Sequence, residues 1–402
     1  LFQLASVVQL LGGWGRTTRG AFADWYTSKD AAEVAFQAVK HQRREGFSGR
    51  DILRLAHPRP PTPQHDAVFR WMTAGWDTVP DASPDPALDR IWAFERAKRA
   101  ESTGQIIDLI ERFDLPREAV PTTFLGHAEV WQALLGAGGG MPYTALLRNL
   151  GKLGSVGLLA PGSGAVSTVV QRLSNGERLR RARVHPLAVL VALTTYRRGC
   201  GVRGSNRWDV VPQVVDALDA AFYASFGNIE PTRKRWLLGL DVSGSMTGGQ
   251  IAGLPGISPR VASAAMAMVT ARTEASWTAM GFSSSLVPLA ISPRQRLDDV
   301  IDTIRRLPFG RTDCAQPMLY ALRRRIPVDV FVVYTDNETW YGDVHPAVAL
   351  RQYRQHMGID AKLIVVGMTS TGITIADPRD AGMLDVVGFD AAVPRLMRDF
   401  VT

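Results

Sequence analysis

Hydrophobic positions change their period once along the chain. Up to about residue 229 they recur every three to four places, the spacing that lines one face of an α-helix. The window 31–44 puts Ala32, Ala35, Phe36 and Val39 on one side, with Ser28 upstream as an N-cap whose hydroxyl can accept from a free N–H of the first turn. The window 64–76 follows Pro63 and repeats the pattern with Val68, Phe69 and Met72. The window 86–99 does so with Leu88, Ile91 and Trp92, and sets Glu95 four places before Arg99 for an ion pair. Further helical windows lie at 104–113, 128–135, 143–150, 166–173, 186–196 and 211–226. The joints between them are short and rich in Pro, Gly and Asp.

Helices of this size on short loops predict stacked helical pairs, as in HEAT-type solenoids. The period changes at 233–236. From there apolar runs of strand length (236–241, 277–282, 286–291, 328–335, 361–367 and 383–389) alternate with helical windows (261–274, 297–306, 316–325, 346–356 and 391–400). That alternation predicts a doubly wound α/β domain with a mostly parallel sheet. The window from 261 is apolar or small nearly all round, so it is expected to be largely buried. The predicted organisation is thus a HEAT-like helical-repeat domain over 1–232 and an α/β domain over 233–402.

Composition narrows the picture. A chain of 402 residues has room for two domains, and 46% hydrophobic residues is the value of a soluble globular protein. The two cysteines, Cys200 and Cys314, have no CxxC spacing, which argues against a disulfide scaffold or a zinc site and for a reducing, cytoplasmic setting. No apolar run reaches the roughly 18 residues that span a bilayer. The start, Leu1-Phe2-Gln3-Leu4, lacks the basic and apolar segments of a secretory leader. The net charge is +8, and residues 172–207 hold nine arginines against the single acid Glu177, a balance that suits polyanions. There is no P-loop, HExxH or GxSxG, and the seven histidines form no catalytic pattern with carboxylates, so the expectation is binding without catalysis.

The stretch Asp241-Val242-Ser243-Gly244-Ser245-Met246 follows the apolar run 236–240. Its acidic residue and two hydroxyls therefore sit at the carboxyl end of a buried strand, where open α/β sheets bind ligands. Such hard oxygens suit Mg²⁺ or another divalent cation. Thr312 follows Gly310-Arg311, and Asp336 follows the strand that ends in Thr335. In this order the three segments resemble the metal-ion-dependent adhesion site of von Willebrand factor A domains. The resemblance implies that Ser243 and Ser245 bind the cation directly, that Asp241 and Asp336 act mainly through water, and that Thr312 does either. It also implies an open coordination position for water or a partner's carboxylate. Asp313 and Glu338 read as cap or turn residues.

The two halves together resemble the Ro autoantigen family, whose helical part is the TROVE domain. The likeness is carried by Gly13-Trp14-Gly15-Arg16, Ala23-Asp24-Trp25-Tyr26, the stretch 51–57 ending in Ala56-His57, Ala145-Leu146-Leu147-Arg148-Asn149-Leu150-Gly151-Lys152, His185-Pro186-Leu187, and the stretch 217–223 before DVSGSM. The compact DVSGSM motif and the Arg-rich, Lys-poor composition lean bacterial. The resemblance implies a helical ring, or an open crescent if the family's first repeats are lacking, since the chain starts partway into that domain. It further implies binding of small non-coding Y RNA on the outer face and of single-stranded 3′ ends of misfolded RNA in the central hole. Tethering through Y RNA to polynucleotide phosphorylase or another exoribonuclease, a role in RNA quality control or decay, and a monomer sufficient for all of this follow from it too. The competing expectation is a scaffold whose A domain recruits a protein partner through a metal–carboxylate contact.

For RNA, Lys40 and Arg44 are four apart and are expected on one helical face outside the apolar stripe, where two cations can hold neighbouring phosphates. His57, just before Pro58, is expected to close a helix and to donate to a phosphate or stack on a base. The resemblance implies that these three match RNA-binding positions of the family. Arg16, Arg19 and Arg43 are further candidate phosphate contacts, and Arg148 with Lys152 forms another i,i+4 pair. Arg203 belongs to the dense arginine tract, inside the Gly-rich segment 199–204 where backbone can approach a phosphate. The tryptophans at 14, 25, 71, 76 and 92 are expected to be mostly core.

Overall fold

The computed structural model describes the chain apart from residues 140, 203, 249–250, 252–255, 284, 308–311, 337–340, 370–373 and 389–391. It divides into two compact units, one of 1–142 with 156–159, the other of 143–155 with 160–402.

The first unit is helical apart from one hairpin. Its helices are α1 (Phe2–Leu10), α2 (Arg16–Thr27), α3 (Ala31–Lys40), α4 (Gly49–Ala56), α5 (Pro63–Ala74), α6 (Asp89–Ala97), α7 (Thr103–Phe113) and α8 (Ala128–Gly136). They stack in succession: α3 on α5 and α6, α6 on α7, α7 on α8, and α2 on α4. Apolar stripes drive the stacking, with Val34, Ala35 and Val39 of α3 and Ile91, Phe94 and Ala97 of α6 all buried. Three expectations are corrected here. Asp30, not Ser28, caps α3, accepting the Glu33 N–H at 2.6 Å. Helix α6 stops at Ala97, so Glu95 pairs with Lys98 (2.8 Å) in place of Arg99. And α3 stops at Lys40 instead of running to 44, because the chain turns back at Glu45 and Gly46, both at positive φ, to pair β1 (Arg43–Arg44) with β2 (Phe47–Ser48). Periodicity also gave no helix to 2–10, 16–27 or 176–181, where the structure has α1, α2 and α11.

The second unit joins the later helices to the α/β layers. The helices are α9 (Tyr143–Ser155), α10 (Gly164–Leu173), α11 (Gly176–Arg181), α12 (Pro186–Arg197) and α13 (Pro212–Ala224). Trp208 lies flat on α9, where a Cβ at Gly151 or Gly154 would come within 2.6 or 2.7 Å of its ring or Cβ. Only glycine admits the indole there.

Among the described residues, the sheet holds β3 (Arg235–Asp241), β4 (Ser276–Phe282), β5 (Leu286–Pro288), β6 (Val330–Thr335), β7 (Lys362–Gly367) and β8 (Met383–Val387) in the order β5-β4-β3-β6-β7-β8. All neighbours are parallel except β4 and β5. The central strands are buried along their length apart from Arg235 at the start of β3, as near-continuous apolar runs require. The layers are completed by α14 (Pro259–Thr273), α15 (Leu297–Arg305), α16 (Gln316–Arg324), α17 (Pro346–Met357) and α18 (Val393–Val401). As its composition predicts, α14 is buried nearly all round. It also carries the join to α13: the Arg272 guanidinium lies 4.8 Å from the Tyr223 ring and 4.7 Å from that of Phe226, while Arg296 pairs with Asp219 at 2.6 Å. From β3 the chain crosses to β4 on one side and later to β6 on the other. The carboxyl ends of β3 and β6 therefore flank the switch point of the sheet.

Candidate functional site

Register sets the metal-type loop. Leu240 pairs with Tyr334, so Asp241 and Thr335 meet side by side at the ends of β3 and β6. One oxygen of Asp241 accepts the Ser243 N–H (2.8 Å) and the other accepts the Thr335 hydroxyl (2.8 Å). The Ser243 and Ser245 hydroxyls are 3.0 Å apart. Arg260, reaching from α14 and itself buried, donates to the Ser243 carbonyl (3.3 Å) and pins the loop from below. Burial pushes the Asp241 carboxyl above its usual range, against the pull of the hydrogen bonds from Ser243 and Thr335, and the Asp336 charge adds to the rise.

Asp336 is 9% exposed and its Oδ1 is buried with no hydrogen-bond partner among the described residues. A buried acceptor left so is costly unless something donates to it or coordinates it. Thr312 lies half-buried in the loop before α16, its carbonyl accepting the Tyr341 N–H (2.7 Å). Two residues on, the buried Cys314 thiol is pushed well up, by burial first and then by the charges of Asp241 and Asp313. Asp313 is a turn residue: its carboxylate accepts the Ala315 N–H (3.0 Å) and the Gln316 side chain (2.6 Å), while α16 itself has no side-chain cap. Gly310, Arg311 and Glu338 lie outside the described residues. Among the described residues no group of three or more His, Cys, Asp or Glu side chains is placed to hold a metal. The donor set is thus two carboxylates with hydroxyls, and together with the unpartnered Asp336 oxygen it fits a hard cation. Sequence reasoning named neither Thr335 as the residue that orients Asp241 nor Arg260 as the one that holds the loop. The only signal for the latter was a lone arginine at the head of a small-residue helix.

The basic candidates of the first unit are distributed over α2 to α4. Arg16 opens α2 and Arg19 follows a turn later, both exposed. Lys40 ends α3 with its ammonium 5.2 Å from the Phe36 ring centre, and Arg43 and Arg44 stand exposed on the hairpin. Lys40 and Arg44 therefore do not share a helical face, but they converge by another route. Both charges act on His41 between them, whose pKa is lowered by burial first, then by Arg44 and Lys40. Arg44 and His41 also line a cavity of about 280 Å³ together with Trp25. His57 closes α4 as expected, in the left-handed conformation (φ 49°), and is exposed. Its helix starts from a reciprocal cap in which Ser48 and Asp51 exchange hydrogen bonds of 3.2 and 2.8 Å. None of these six cations and imidazoles has an ion-pair partner among the described residues.

Arg148 (exposed) and Lys152 (half-buried) are four apart on α9, in the second unit. Arg203 lies outside the described residues. Of the tryptophans, Trp71 is buried and donates to Glu95 (3.0 Å), and Trp92 donates to the Pro80 carbonyl (2.8 Å). Trp14, Trp25 and Trp76 are half-buried.

Residues 235–401 match the family model of the Ro60 vWA domain, and residues 110–196 match that of the TROVE domain. Over 401 residues the chain is 47% identical to the RNA-binding protein RO60 of Deinococcus radiodurans, a match covering all of this chain and 74% of that protein. The chain belongs to the Ro family. It is also 37% identical over 432 residues to the RNA-binding protein RO60 of Caenorhabditis elegans, covering 97% of this chain and 66% of that one. The crystal structure of the Deinococcus radiodurans RO (RSR) protein shares the fold at a TM-score of 0.85 and 47% identity, over 98% of this chain and 78% of that chain. In this Ro-family chain the basic residues at 16–57 precede the TROVE match but fall inside the longer match to the Deinococcus relative. Among the described residues, no helix is long and apolar enough to cross a membrane.

Proposed function

We propose that this Ro-family chain binds RNA, taking small non-coding Y RNA and the single-stranded 3′ ends of misfolded RNA, and that it acts in RNA quality control or decay. One observation carries the reading: Arg16, Arg19, Lys40, Arg43, Arg44 and His57 reach solvent within one compact unit, and none of them forms an ion pair among the described residues. Such a set attracts phosphates without reading sequence. The two relatives, both named RNA-binding proteins, support it. Polynucleotide phosphorylase or another exoribonuclease, reached through Y RNA, is the proposed decay partner. The proposed setting is the cytoplasm, with a monomer as the working unit and binding, not catalysis, as the activity.

The proposed cofactor is Mg²⁺ or another divalent cation held by Asp241, Ser243, Ser245, Thr312 and Asp336. When bound, it would supply a positive centre able to accept a partner's carboxylate. The chain's own part is to hold the oxygens: Thr335 and the Ser243 N–H orient Asp241, and Arg260 fixes the Ser243 carbonyl. The Asp336 Oδ1, without a hydrogen-bond partner among the described residues, supports a cation at this site, to which a partner's carboxylate would bind.

The test is a filter-binding titration with a structured RNA bearing a single-stranded 3′ tail, at two salt concentrations, with and without EDTA. Tight, salt-sensitive, EDTA-resistant binding is expected. Absence of binding at low salt would sink the RNA reading and leave the metal–carboxylate scaffold in its place.

A further inference from the structure

The second unit contains a cleft of about 580 Å³ lined from α11, the start of α12, α14 and α18. Its charge is unbalanced. Four arginines line it, Arg180, Arg183, Arg395 and Arg398, against Glu230 and Glu274. Both acids are already engaged. Glu274 accepts the Thr232 N–H (2.7 Å), the Thr232 hydroxyl (2.9 Å) and the Arg233 N–H (3.0 Å), and Glu230 pairs with Arg398 at 3.0 Å. Among the described residues, Arg395 has only Asp399, at 3.5 Å, which also serves Arg398. Arg180 and Arg183 are exposed and have no ion pair among the described residues.

His185 also lines the cleft. It caps α12, its Nδ1 accepting the Leu187 N–H at 3.2 Å. That bond requires an unprotonated Nδ1, so the neutral ring carries its proton on Nε2. Nε2 is buried and has no partner among the described residues. A buried donor in this position calls for an acceptor. The remaining lining is apolar, from Trp236, Met266, Val269 and Met397. The Trp236 ring is held in place by its Nε1–H bond to the Thr232 hydroxyl (3.0 Å). An excess of arginine and an apolar wall, in a space of ligand size, suit a phosphate ester that carries a ring.

We propose that this cleft is a nucleotide site, in which Arg180, Arg183 and Arg395 hold the phosphate and the base rests on the apolar wall. The shared chemistry is a phosphomonoester beside a base, presented either by a free mononucleotide or by the 5′-phosphorylated end of an RNA strand. The site is independent of the basic residues of the first unit, so it stands or falls separately from the RNA reading above.

The experiment titrates the full chain with adenosine monophosphate, adenosine, inorganic phosphate, and one unstructured oligoribonucleotide with and without its 5′-phosphate. It repeats this for Arg180→Gln with Arg183→Gln, and separately for Arg395→Gln, checking that melting temperatures are unchanged. Adenosine monophosphate should bind at least tenfold more tightly than adenosine or phosphate, and each variant should lose most of that margin. If the oligoribonucleotide alone shows a 5′-phosphate preference that the variants lose, the site is supported and the strand end is its ligand. Two results would overturn the proposal: equal binding by wild type and both variants, or adenosine monophosphate binding no tighter than phosphate together with an oligoribonucleotide that shows no 5′-phosphate preference.

Discussion

The loop after β3 and the cationic set of α2 to α4 hold their functional groups by contrasting means. Both oxygens of Asp241 have donors, supplied by its own loop and by the end of a neighbouring strand, and a buried arginine braces the loop. In the first unit Arg43, Arg44 and His57 stand in solvent, and Lys40 lies over an aromatic ring without an ion pair among the described residues. A site of the first kind is preorganised, and removing one atom dismantles it. A site of the second kind works by summed, screened charge, so it degrades by degrees.

The sharpest break in that contrast should come from Asp241→Ala. Divalent-cation binding, read by calorimetry with Mg²⁺ or Mn²⁺, is expected to disappear, while RNA affinity in the filter assay changes less than about threefold. Parallel loss of both from a folded variant would mean that the two regions are coupled. Next in size is Lys40→Ala combined with Arg44→Ala. RNA affinity should fall more than about tenfold for structured and 3′-tailed RNA alike, and the salt slope should become shallower by about two charges, with melting temperature unchanged. An unaltered affinity would move the RNA site elsewhere.

A packing change should sharpen the comparison by touching neither site's charges. A methyl at Gly239 would come 2.7 Å from Pro317 Cγ, so Gly239→Ala is expected to cost about 1–3 kcal/mol in a denaturant melt and to leave RNA binding alone. The last effect concerns acid. Burial holds the His185 pKa down to about 4, against 6.5 for the free side chain. The unfolded chain therefore takes up a proton that the folded one refuses between those values. The stabilisation is complete above pH 6.5 and is lost as pH falls toward 4. His185→Asn, still able to cap α12, should flatten that part of the melting curve relative to wild type. An identical pH profile in the variant would refute the assignment.

The change of period at 233–236 located the start of the sheet because a buried parallel strand needs a run of apolar residues that no amphipathic helix shows. Asp241, Ser243 and Ser245 were legible for a similar reason: three ligand-type side chains within five residues form a local pattern. The misreadings were also local in origin. Helix propensity over 31–44 gave no warning that Glu45 and Gly46 would adopt positive φ and reverse the chain, and a residue such as Glu45 rarely does so. Helix α2 was missed because its stripe is only Phe22 and Tyr26, set among small and polar residues.

The sequence by itself determined the order of helical stretch and α/β stretch, the strand-end acid and hydroxyls, and the excess of arginine, since each is a property of neighbours along the chain. Only the tertiary structure decided that Thr335 meets Asp241, that Lys40 and Arg44 converge on His41 instead of sharing a helix face, and that Arg180 and Arg183 line one cleft with Arg395. Those pairings depend on strand register, on a two-residue turn and on how helices stack. The contacts that set them join residues far apart in sequence, where no periodicity reaches.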